Sequence, residues 1–515
     1  MVVLEMRTLP APTLLALLAL ASCSTGTFDR ASCQNDEDCN AFGASTCDSE
    51  GFCSETDVAS CTSNSECRMM NGWASVCAEN VCADLTPHPR CELTFPTDLY
   101  ERVEDFSFIA GNLMDRSLAT HVARENAARL AFSQANDGGG LNELSVGIVF
   151  CTIEENSDFD TLSRSDAAVE TATWLADSVG VAAIVGPAAS GDTQAVFEAL
   201  RSFDTLIISP SATSPALTRL DQAEPTDANP GLLWRTAPPD SLQGQILAED
   251  VIASGVIEVV AVVEQGSYGE GLLQVFAEAF ESMGGTSPTA TALLYPSGDD
   301  GQRAERLASA GAASQTSVLF ISSQTTDAVA AVSVATSSAA YDGKSLWLTD
   351  SAGTSEVAVS ATDVLDGRVR GTRPAPSSGF VYDAFLAAYA SAYRGMNAQD
   401  FTFTAQAYDA AWLVLYGAAF AILGENELSG TNIARGLRRV SEGDATDLVG
   451  SQWGNARSAF RNGRTLDVAG ASGSLDYNPA TEETTANIEV WTIAFCGGAP
   501  EITAVDSPGA AFICE

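Results

Sequence analysis

The residues best placed for chemistry are hydroxyls: Ser190 in the turn Pro187–Gly191, and Ser211 and Thr213 in the turn Ser209–Pro215. Each turn follows a short apolar run, Ala182–Val185 and Leu206–Ile208, with the length and β-branched content of a buried parallel strand. Between them, Asp192–Phe203 has helical periodicity. A β-α-β unit of this kind places both turns at the carboxyl ends of strands, where open parallel sheets bind ligands. Ser190 also stands at the start of the helix, where unpaired backbone N–H groups and the helix dipole favour an anion. The stretch therefore offers two hydroxyl-lined edges of a cleft. The same residues serve equally as a helix cap (Ser190 or Asp192) and a plain turn (Ser211–Thr213).

Catalysis has little support. Ser190 lies in A-A-S-G-D rather than in a G-x-S-x-G elbow, and neither His88 nor His121 is near a nucleophile in sequence. His121 falls on the first helix and reads as surface or core. No G-x-x-x-x-G-K phosphate loop and no H-E-x-x-H pair occurs. A non-enzymatic chain without cofactor or metal is expected.

The ordered motifs resemble those of the type I periplasmic binding proteins, the branched-chain amino-acid binding family of ABC importers. Gly186-Pro187-Ala188-Ala189-Ser190-Gly191-Asp192-Thr193 is similar to that family's G-P-x-x-S-x-x-T turn, and Ser209–Pro215 to its S-P-x-A-T-x-P segment. Trp234–Ala237 with Asp240–Gly244, Gly266–Gly271 and Gly470–Tyr477 resemble its later motifs. The resemblance implies two lobes joined by three crossovers, with a ligand closed between them. With it, Ser190 and Thr213 are expected to serve a ligand carboxylate with neighbouring N–H groups, Ser211 to stand among the ligand contacts, and Tyr268 either to close over the ligand or to pack against the hinge. Asp350, ending Leu346-Trp347-Leu348-Thr349-Asp350, would take an ammonium, and Gln324 would be a weaker contact. For Asp350 the other reading is an N-cap of the next segment. Asp192 departs from the family pattern: it either caps its helix and points away, or the ligand is not a simple amino acid.

From the start of the chain, Ala11–Ala21 is apolar but too short to span a bilayer, and it ends in Leu20-Ala21-Ser22-Cys23. This is the pattern of a bacterial lipobox, so residues 1–23 read as a lipoprotein signal and Cys23 as the lipidated residue. Of the thirteen cysteines, eight fall in 33–82 as two similar blocks, each opening C-x5-C. No apolar periodicity is visible there, and the spacing is wrong for zinc, so 24–91 is expected to be a disulfide-stapled stalk. Cys91 lies just before the first core strand and Cys151 just after the second, so adjacent parallel strands are expected to bring them together. Cys496 and Cys514 would close the C-terminal tail.

From Phe106 onward strand and helix alternate, which predicts an α/β fold with parallel sheets. The strands are Phe106–Ala110, Leu144–Phe150, Ala182–Val185 and Leu206–Ile208, then Ile257–Val263, Thr291–Tyr295, Ser317–Ile321 and Ser345–Leu348. Two such series predict two lobes within 92–515: lobe one at about 104–236 and 376–445, lobe two at about 237–375 and 446–500. Crossovers are expected near Arg235–Pro239, Gly371–Pro376 and Ser441–Gly470, with the strands around Leu475–Tyr477 and Ile488–Ala494 completing lobe two. The formal charge of −42 argues against nucleic-acid partners and anionic lipid surfaces. Two function classes follow. One is a lipid-anchored envelope receptor that captures an amino-acid-like solute for an ABC permease; the other is a sensory or structural surface lipoprotein on the same fold.

Overall fold

The computed structural model describes residues 33, 35, 39, 45–47, 51–55, 61–102, 106–218, 220–221, 224–375, 378–484 and 487–512. Cys23 and Cys514 lie outside them. The chain divides into a small cysteine-rich unit, reaching Asn71 and including Val76–Asp84, and a large unit formed by the rest.

The small unit is stapled as its composition requires. Cys33 pairs with Cys47 and Cys39 with Cys53; Cys61 pairs with Cys77 and Cys67 with Cys82. In both blocks the first cysteine joins the third and the second joins the fourth, so the two sequence repeats are also repeats of connectivity. A short antiparallel hairpin, Ser45–Cys47 with Cys53–Glu55, lies in the first, and the helix Asn64–Asn71 in the second.

The large unit is built on two sheets. The first has six strands in the order Leu233–Arg235, Leu206–Ser209, Ala183–Val185, Phe106–Met114, Ser145–Thr152 and Leu93–Phe95. All pairs are parallel except the last, in which Leu93 lies opposite Phe150. That antiparallel edge strand carries Cys91 to Cys151, and the two are bonded. The first two core strands, Phe106–Met114 and Ser145–Thr152, are parallel neighbours as expected, but Cys91 reaches Cys151 through an unforeseen antiparallel strand on the other side of Ser145–Thr152.

The second sheet has seven strands, ordered Leu293–Tyr295, Val260–Glu264, Ser317–Ile321, Ser345–Leu348, Val369–Pro374, Ile488–Ala494 and Glu501–Val505. The first five are parallel and the last two antiparallel additions. Central strands such as Val260–Glu264 and Ser317–Ile321 are buried throughout, which explains their uninterrupted apolar sequence.

The helix Thr404–Phe420 continues to Glu425 and is long and apolar enough to cross a membrane, but it is buried against the first sheet. A helix apolar on all sides is what an internal position selects. Its buried acid, Asp409, accepts hydrogen bonds from the backbone N–H of Ala471 (2.8 Å) and Ser472 (2.7 Å) and from the Ser472 hydroxyl (2.5 Å).

Three crossovers join the lobes. The first two lie between Arg235 and the helix Asp240–Ala253, and between Pro374 and the helix Phe380–Ala392. The third is not at Ser441–Gly470. Leu466, Val468, Leu475 and Tyr477 all belong to the first lobe's core, and the Tyr477 ring packs on Trp234 at 4.9 Å. The chain returns to the second lobe only between Thr484 and Ile488, so 446–484 belong to lobe one rather than lobe two. The strands there are short and polar (Asp444–Asp447, Gly473–Ser474), and long-range contacts place them.

Candidate functional site

The carboxyl ends of both sheets face a cavity of about 220 Å³. From the first lobe it is lined by Ser117–His121 and Arg124, by Ala188–Ser190, by Ser211, and by Thr402 and Phe403; from the second by Tyr268, Ser323–Thr326, Asp350, Ser351 and Glu356.

Glycine permits two of these turns. Gly186 has φ +99° and a Cβ there would stand 2.5 Å from the Leu113 carbonyl oxygen. At Gly269 a Cβ would fall 1.9 Å from the Glu264 oxygen, so only glycine lets the helix Ser267–Ser282 start close enough to its strand to bring Tyr268 to the cavity.

On the first wall, Ser190 is the first residue of its helix, after Ala189 as N-cap. Its hydroxyl accepts from the Ser214 N–H (3.2 Å), leaving its proton for a ligand. Ser211 donates to the Ala188 carbonyl (2.9 Å) and accepts from Arg124 Nη1 (3.0 Å). Its proton is therefore committed, and it serves Arg124 rather than an anion. Thr213 is buried but does not line the cavity. Asp192 points away: its carboxylate takes Arg164 Nε at 2.7 Å, and burial raises its pKa.

Sequence reading missed Arg124 and, while placing His121 on the first helix as surface or core, did not bring it to the cavity. His121 lines the cavity, and its Nδ1 accepts the Asp115 N–H (3.2 Å), so a neutral ring carries its proton on Nε2. Burial, with Arg124 and Arg164 nearby, holds it well below the ordinary histidine range. Arg124 is buried over the Phe403 ring, 5.3 Å from its centroid. Phe403 itself sits at φ +60°.

On the second wall, Asp350 is 4% exposed and is not an N-cap: it is the first residue of the short turn Asp350–Ala352, after Thr349, and the following helix is capped by Thr354. Its carboxylate accepts from the Tyr268 hydroxyl and, at 3.4 Å, from Gln243 Nε2. Gln243 and the fully buried Asp240 lie on the same face of the helix Asp240–Ala253. Neither Asp240 oxygen makes a hydrogen bond in the structure. Burial first, and then the charge of Asp350, push Asp240 well above the carboxyl range, with Thr213 and Arg235 opposing. Burial also raises Asp350, against the bonds from Tyr268 and Gln243. Of the two, Asp350 is the better-held anion, because Tyr268 and Gln243 donate to it while Asp240 has no donor within hydrogen-bond distance. Gln324 lines the cavity as N-cap residue of the helix Thr325–Ser337, with its Nε2 on the Ser323 hydroxyl (3.1 Å). The structure thus gathers Ser190, Ser211, Tyr268, Gln324 and Asp350 at one cavity and leaves Thr213 behind its wall.

The sequence pattern of the receptor family ligand binding region matches residues 123–494. The chain is 25% identical, over 70% of its length and 80% of the other's, to the chemotactic signal transduction system substrate-binding protein BasB of Halobacterium salinarum. Among solved structures it is similar to the branched-chain amino acid transporter substrate binding protein LivJ of Streptococcus pneumoniae in complex with isoleucine. The TM-score is 0.55 at 20% identity, covering 78% of this chain and 100% of that one. It is also similar to an ABC-transporter solute-binding protein of R. palustris in complex with benzoate, with TM-score 0.56, 17% identity, and coverage of 79% and 98%. These structures share its fold, two lobes of the type I periplasmic-binding kind. Because the family pattern runs across well over half of the sequence and spans both lobes, the chain belongs to the receptor ligand-binding-region family.

Proposed function

We propose that this protein is an envelope solute receptor that closes its two lobes on a small polar ligand, an amino acid or a related metabolite. The observation that carries the reading is the buried Asp350 carboxylate, held by Tyr268 and Gln243 and facing the helix start at Ser190 across the cavity. A ligand whose ammonium binds Asp350 and whose carboxylate takes the Ser190 hydroxyl proton bridges the lobes. Bridging gives the ligand higher affinity for the closed state, which drives closure. Cys23 anchors the chain by its lipid, the cysteine-rich unit serves as the stalk, and delivery to an ABC permease follows from the type of structure it resembles.

One observation favours a sensory role instead: the similar Halobacterium protein is named for chemotactic signal transduction. Ligand capture is common to both. A thermal-shift screen of the full chain against amino acids, aromatic acids and sugars, followed by calorimetry, tests it. The reading expects amino-acid hits that Asp350→Ala weakens strongly; hits confined to sugars, or unaffected by that substitution, would contradict it.

A further inference from the structure

Four arginines are buried among the described residues: Arg90, Arg124, Arg235 and Arg370. Three rest on a carboxylate: Arg90 on Asp160, Arg235 on Glu483 and Arg370 on Asp250. Arg124 is held only by neutral groups. Its Nε donates to the Thr402 carbonyl (3.0 Å), Nη2 to the Thr402 hydroxyl (3.2 Å) and Nη1 to Ser211 Oγ (3.0 Å), above the Phe403 ring. A guanidinium has five N–H donors, so one remains on each terminal nitrogen, the number a bidentate carboxylate takes. No carboxylate among the described residues bonds it; desolvation lowers the Arg124 pKa to about 10, with only the charge of Asp350 on the opposite wall opposing. Yet three bonds and an aromatic ring hold the fork rigid against the cavity. Such fixation makes sense for a group whose partner arrives from outside.

We propose that Arg124 is the anion anchor of the cleft and that the solute carries a carboxylate which pairs with it. The proposal rests on the cleft being the solute site. With Arg124 positive on one wall and Asp350 negative on the other, the matching ligand is a zwitterion with one charge of each sign. A polyamine would meet the guanidinium as a like charge, and a sugar would leave it unpaired.

The test uses calorimetry on the full chain with α-amino acids, their α-amides, benzoate and glucose. Among the amino acids that bind, the acid should bind wild type about 30-fold or more tighter than its amide. Arg124→Gln should remove that advantage, bringing acid and amide to similar affinity, and an unshifted main thermal transition shows that the variant folds. Arg124→Lys should keep part of it, as a charge without the fork. Equal affinity of acid and amide, or of wild type and Arg124→Gln for the acid, would overturn the anchor and leave the cleft reading standing. Binding of glucose alone, or of no panel member, would overturn both.

Discussion

Replacing Asp350 by Ala, and reading the affinity of the best-bound amino acid by calorimetry at pH 7, probes the second wall of the cleft. The carboxylate is buried and receives Tyr268 and Gln243. Truncation leaves a ligand ammonium buried without its anion, a loss of about 2–5 kcal/mol in comparable charge pairs. Asp240 moderates the loss. The charge of Asp350 is one of the two influences that keep Asp240 protonated. Once it is gone, Asp240 ionises more readily and carries part of the ammonium's charge. The single variant should therefore fall near the low end, about 2–3 kcal/mol, or roughly 30- to 150-fold in Kd. Asp240→Asn alone should change Kd little, because the wild-type residue is already neutral. In the double variant the Asp240 substitution should cost about 1–2 kcal/mol more, a coupling expected of groups in contact. An Asp350→Ala affinity within twofold of wild type would refute the ammonium site. Asp240→Asn proving as costly as Asp350→Ala would show that Asp240, not Asp350, carries the charge.

Three further outcomes are expected. Mild reductant should free the cysteines of 33–82 while Cys91–Cys151, fully buried at both ends, stays bonded and the main thermal transition persists; loss of that transition would mean that the stalk disulfides support the large unit. Burial raises Asp409 from 3.8 to about 7, so its contribution to stability is complete below about pH 4 and is lost as pH rises through 7. The Tm should fall over that range, and Asp409→Asn should flatten the fall. Mass spectrometry of the membrane-extracted protein should find diacylglycerol on Cys23 at a new N-terminus; an unmodified start elsewhere would remove the anchor.

Much of the fold was legible because its central strands are continuous apolar runs between turn residues. Ser317–Ile321 and Ser345–Leu348 were placed to the residue. Among the missed strands, Leu93–Phe95 and Glu501–Val505 are short edges with mixed burial and leave no clear period, while Leu233–Arg235 and Val369–Pro374 run straight into the crossovers that sequence reading placed there. The third crossover was misplaced for a related reason. The polar strands of 444–474 join the first lobe through distant partners such as Asp409 and Trp234, which no local pattern reveals. Within the site, motif order located Ser190, Tyr268 and Asp350. It could not show that the Ser211 proton is spent on Ala188, nor that Thr213 turns inward. Arg124 was invisible because small alanines mark the buried side of the helix Ala119–Asp137 only weakly, so charged residues pointing in and out look alike. One signal was available: Arg124 is three residues after His121 and so shares its face.

The central claim, that the cleft between the lobes binds a zwitterionic solute, is tested most directly by a crystal structure of the full chain with its best-bound amino acid. The account predicts the ligand in the cavity, its ammonium within hydrogen-bond distance of Asp350 and its carboxylate on Arg124 and Ser190. A ligand seated elsewhere, such as the cavity at Arg438 and Glu482 in lobe one, or in the cleft with neither Asp350 nor Arg124 in contact, would contradict it.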